Sequence, residues 1–123
     1  MSESEERPIG NDRDRLQALG LARKAGRAAI GTRAVRVAGR TRSLSALIVA
    51  RDASPNALDR VRGAIHDVPL VRCGTRETLG LAVGRGPVAV VGVTDREFAR
   101  RIAPQASLAQ QVRDRGDSVR RSR

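Results

Sequence analysis

Between Arg15 and Arg51 the chain carries nine arginines and lysines and no aspartate or glutamate. Gly31 lies inside that run, where the short apolar segment Ala28-Ala-Ile30 gives way to residues with helical spacing. The chemistry this arrangement offers is anion binding. The first amides of a helix have no intrahelical partner and sit at the positive end of the helix dipole, so they attract phosphate. Glycine at that point has no Cβ, which lets another backbone approach closely. Arg33, Arg36 and Arg40 fall at i, i+3 and i+7 and share one face of the helix, while Val35 and Ala38 share another that can pack on a sheet. A solvated arginine face with a routine glycine turn accounts for the same residues. The lack of any nearby carboxylate favours binding.

A second candidate is Leu79-Gly80-Leu-Ala-Val-Gly84-Arg-Gly-Pro87, a helix end followed by a glycine-rich turn. Gly84 and Gly86 flank Arg85, whose guanidinium can reach a phosphate or a base; a helix C-cap with a flexible turn is the plain alternative. The segment precedes a strand, whereas a dinucleotide-binding glycine motif follows one, and no Walker lysine motif is present. Catalysis has little to work with. Cys73 and His66 are the only nucleophile and base that can be paired, and Cys73, near a strand end, reads better as a small core or edge residue. Asp52 and Asp95 each follow an apolar strand, yet a loop turn and a helix cap explain them. One cysteine and one histidine cannot furnish a protein-only zinc site, and neither a metal nor a cofactor is implied.

Composition points to the polymer that supplies the phosphates. The 123 residues carry a net charge of +11, enough chain for one domain. Residues 10 to 103 alone sum to +10, residues 104 to 123 to +3 and the first nine to −2, so the body is basic in its own right. Such domains most often meet nucleic acid. Phe98 is the single aromatic residue, which excludes RNA-recognition motifs, oligonucleotide-binding barrels and cold-shock domains, all of which stack bases on aromatic platforms. Recognition must then use backbone amides, arginine forks and shape, and structured RNA is the expected partner. Apolar runs are too short to span a membrane and large apolar anchors are lacking. The acidic, polar start has no signal-peptide pattern, so a cytoplasmic protein is expected.

The elements that must position these groups follow from periodicity and caps. A helix is expected over residues 12 to 25, ending before Gly26, then a strand from Arg27 to Ile30. The next helix opens at Gly31-Thr32, with either residue as its cap, and runs to Gly39. Strands are expected over 44–50, 68–72 and 88–93. Ser54 as N-cap and Pro55 at the first helical position start a helix, and Thr75 starts another that ends near Gly84. Thr94-Asp-Arg-Glu97 reads as a capping box for a last helix reaching Ala103. The alternation predicts an α/β layered domain over 12–103, flanked by a disordered acidic N-terminus over 1–11 and a basic, mostly disordered tail over 104–123, where Leu108 and Val112 hint at a weak helical segment.

Taken in order, Leu19-Gly-Leu-Ala-Arg-Lys-Ala-Gly26, Ile30-Gly31-Thr32, Leu47-Ile-Val-Ala-Arg-Asp-Ala-Ser-Pro55, Leu79-Gly80 and Val88-Ala-Val-Val-Gly-Val-Thr-Asp95 resemble the ribosomal L7Ae/L30e family of kink-turn RNA-binding proteins, in particular its bacterial YlxQ-type branch. The resemblance covers residues 15 to 102. It implies a three-layer α/β/α sandwich with a small mixed four-stranded sheet and a non-catalytic protein of ribosomal or other structured RNA. It also implies RNA docking on the end of the first strand, the start of the second helix and the loop before the last strand. That places Arg27, Gly31, Thr32, Arg33, Ala34, Arg36, Arg40, Gly84, Arg85 and Gly86 at the interface. By position, the family's readers of sheared G·A pairs correspond to Arg33 and Ala34, and a lysine further along the helix to Val37. Relatives of this fold also serve as protein-docking domains of the translation and transcription machinery, which is the alternative reading.

Overall fold

The computed structural model describes residues 3–65 and 67–103, with side chains described from Asp12 onward. The expectations for His66 and for the tail over 104–123 lie outside the described residues. Five helices and four strands alternate: α1 Glu3–Lys24, β1 Ala28–Ile30, α2 Gly31–Arg40, β2 Ala46–Val49, α3 Pro55–Arg62, β3 Leu70–Arg72, α4 Arg76–Ala82, β4 Val90–Val93 and α5 Arg96–Ile102. Helix α1 begins at Glu3, well before the expected residue 12. The acidic residue types among residues 3–11 fall at the helix N-terminal end, where the dipole favours negative charge.

The strands form one mixed sheet in the order β1-β4-β2-β3. β4 runs antiparallel to both β1 and β2, and β3 lies parallel to β2. Side chains alternate across the two central strands, as the pleat requires. Ala46, Ile48, Val91 and Val93 pack with α1, α4 and α5 on one face, while Leu47, Val49 and Val90 pack with Val35 and Ala38 of α2 and Val61 of α3 on the other. Both central strands are buried throughout, which is why they read as continuous apolar runs. The result is the three-layer α/β/α sandwich with a mixed four-stranded sheet.

Caps follow the sequence with two corrections. Ser54 accepts from the Ala57 amide with Pro55 in the first turn, and Thr75 and Thr78 form a reciprocal capping box on α4. Helix α5 is capped one residue later than expected: Asp95 rather than Thr94 accepts from the Glu97 and Phe98 amides. The Thr94 amide is already committed to the Arg27 carbonyl, which keeps that residue in the strand exit. Helix α2 has no side-chain cap at all, neither Gly31 nor Thr32, because β1 runs into it without a linker and its N-cap residue is the apolar Ile30.

Candidate nucleic-acid interface

The mouth of α2 is built by one backbone conformation. Gly31 has φ +93°, which turns an extended strand directly into a helix, and only glycine adopts that value without strain. Space around it is open: among the described residues no heavy atom lies within 4 Å of where a Cβ would sit. No acidic residue stands in the first turn, so the opening amides keep their capacity to bind an anion. Thr32 and Ala34 are half-buried, and Arg33, Arg36 and Arg40 are exposed along one face.

Strand register gathers further groups at this end of the sheet. Ile30 is opposite Val91, and Val49 is opposite both Val90 and, across β3, Arg72. The mouth of α2, the loop after β2, the β3–α4 turn and the end of the loop entering β4 therefore share one rim. That last loop is held close to α4. The Arg85 amide donates to the Gly80 carbonyl at 2.7 Å and the Val88 amide to the Arg76 carbonyl at 2.9 Å. A Cβ on Gly80 would collide with the Gly86 carbonyl oxygen, so Gly80 is what lets the loop lie on the helix. Gly84 takes φ +71° to make the turn.

Not every expected residue reaches the mouth. Arg85 and Gly86 line a neighbouring cleft of about 380 Å³ with Asp52, Arg76, Glu77, Leu81 and Pro87, and no α2 residue lines it. Arg40 stands at the far end of α2, roughly 13 Å along the axis from Gly31. Arg27 is at the opposite end of β1, where its Nε lies 3.8 Å from Asp95 Oδ2 at the start of α5. It belongs to the other rim.

The arginines thus divide into two sets. Arg15 donates to the Ile102 carbonyl at 2.8 Å, Arg51 to both Asp12 carboxylate oxygens, Arg62 lies 3.5 Å from Asp59, and Arg76 lies 3.6 Å from Asp52. Those of α2 have no carboxylate partner among the described residues. Asp12 also accepts from the Gly74 amide at 3.1 Å, and Asp52 from the Arg76 amide at 2.8 Å. These two carboxylates stitch the rim together, a role that nothing in their local sequence announces. Burial works against the charged form of Asp12, but the hydrogen bonds from Arg51 and Gly74, with the charges of Arg51 and Arg15, outweigh it and hold its pKa below the ordinary value. Cys73 is fully buried in the core, and burial, with Asp12 adding to it, pushes its thiol up to about 12. It is a protonated core residue, unfit as a nucleophile.

Residues 14–103 match the ribosomal protein L7Ae/L30e/S12e/Gadd45 family. The chain belongs to that family. No curated protein matches it. Among solved structures, a protein of unknown function from Bacillus halodurans is 29% identical with a TM-score of 0.65, over 75% of this chain and 95% of the other. The Giardia lamblia 15.5kD RNA binding protein, 17% identical, shares the fold with a TM-score of 0.67, over 84% of this chain and 89% of its own.

Proposed function

We propose that this L7Ae-family chain is a non-catalytic RNA-binding protein of ribosomal or other structured RNA. It grips bent phosphate backbone at Gly31–Arg36, and Arg85 adds a contact from the adjoining cleft. Family membership and the RNA-binding protein that shares the fold support the partner class. The observation that carries the site is the uncapped entrance of α2, beside arginines that no carboxylate of the described residues neutralises. Backbone amides and guanidinium groups suit phosphate, whereas Ala34 and the half-exposed Val37 offer no side-chain hydrogen bond to a base edge. Selectivity on this reading comes from the shape of a bend, with kink-turn RNA as the fitting case, and the protein works in the cytoplasm. Among the described residues no helix is long and apolar enough to cross a membrane.

Affinity measured against salt for a kink-turn RNA, a plain duplex and a single strand tests this. Each neutralised phosphate adds about −0.7 to −0.9 to the slope of log affinity against log salt. The expected result is a slope of several such contacts and tighter binding of the kink-turn than of the other two. Equal affinities would overturn shape recognition, and no binding at low salt would overturn the RNA reading itself.

A further inference from the structure

Helices α1 and α4 leave between them an open groove of about 760 Å³, on the sheet face opposite α2 and α3. Gly20 brings the helices together there, since a Cβ on it would lie 2.9 Å from the Ala82 carbonyl oxygen. Leu16, Leu21 and Leu81 line the groove, and Leu81 is 73% and Leu21 42% exposed. These are two of the four large apolar side chains left exposed among the described residues; Leu21 lines this groove alone, and Leu81 stands on the ridge between it and the Arg85 cleft. Arg13, Arg23 and Lys24 stand at its margin, and no aspartate or glutamate is among its described lining residues. Cations at the end of α1 suit its dipole without any partner, but the dipole does not explain uncovered leucines beside them.

We infer that this groove docks an acidic amphipathic helix of a partner protein, with apolar residues at i, i+3 and i+7 on the leucines and glutamates or aspartates against Arg13, Arg23 and Lys24. Charge decides among occupants. A second copy brings the same positive margin, and residues 104–123 carry five arginines against two aspartates, so both meet it with like charge. RNA matches the sign, but its phosphates gain nothing from a leucine floor, and no aromatic side chain is among the described lining residues to stack a base. A helix laid into a groove by spaced apolar anchors satisfies both halves of the surface.

The probe is a fluorescein-labelled synthetic helix of about four turns, with leucine at i, i+3 and i+7 and glutamate elsewhere, and a twin with lysine in place of glutamate. Each is titrated into the full chain, with amide NMR shifts locating the contact. The glutamate peptide should bind saturably, weaken with salt and shift amides of residues 13–24 and 78–82, and the lysine twin should not bind. Leu21→Glu, on a side chain that lines this groove and not the Arg85 cleft, should weaken the peptide at least about tenfold and leave affinity for the kink-turn RNA within about twofold. The inference fails if both peptides bind alike or neither binds, if the shifts fall elsewhere, or if Leu21→Glu leaves peptide affinity unchanged. It also fails if Leu21→Glu weakens RNA as much as peptide, which would assign the groove to RNA. The peptide measurements do not depend on the RNA reading and stand if that reading falls.

Discussion

At the scale of single residues, Gly31 does two jobs. Its φ of +93° turns strand into helix, and its missing side chain leaves open space at the mouth of α2, where we propose phosphate binds. Gly31→Val forces a β-branched residue into that conformation, at a cost of about 1–3 kcal/mol. Thermal melting should show that loss, and RNA affinity corrected for the folded fraction should still fall, because the side chain covers the mouth. Asp12 has the opposite character, a carboxylate that serves the frame and no ligand. Its folded pKa lies below the ordinary 3.8, so between the two values the unfolded chain binds more protons and stability rises with pH. The contribution is present above 3.8 and disappears as pH falls through the folded value. Asp12→Asn should therefore lower stability at neutral pH and flatten the acid limb of a stability-against-pH curve.

At the scale of elements, the caps and the loop before β4 set how well the site was legible. Ser54-Pro55 and Thr75 announced their helices because a cap is a local bargain between a side chain and an amide two or three residues on. Asp95 displaced Thr94 for a reason that sequence does not carry: the Thr94 amide is bonded to the carbonyl of Arg27, just before β1 and far away in the chain. Arg27 was misplaced by the same kind of distance. It precedes the strand that leads to Gly31, so it reads as a neighbour, yet three extended residues carry it to the other rim and to Asp95. Gly80 shows the converse, a helical glycine whose purpose is visible only once the loop lies on it. Gly80→Ala should push Gly84–Gly86 off α4, costing roughly 1–3 kcal/mol as for other overpacked sites. Hydrogen exchange should then speed up at the Arg85 and Val88 amides, and rates equal to the parent's would show that the loop does not depend on this approach.

At the scale of the whole molecule, the charge that marked the chain from the outset is sorted by the fold. The sequence shows nine basic residues in one acid-free stretch, but not which of them are spoken for. Acidic partners arrive from elsewhere, Asp12 for Arg51 and Asp95 for Arg27, and only long-range packing could reveal them. What remains unneutralised beside the mouth is the arginine face of α2, while α5, on the other side of the sheet, bears exposed Arg96 and Arg100. This permits a charge-matched comparison. Arg33→Glu with Arg36→Glu and Arg96→Glu with Arg100→Glu change net charge by the same amount on exposed positions of two helices. RNA affinity of the two double variants, measured at one salt concentration with folding checked by circular dichroism, tests the central claim directly. The α2 variant should lose most of its affinity for kink-turn RNA while the α5 variant keeps nearly all of it; equal losses would mean that net charge, and no built phosphate site at Gly31, holds the RNA.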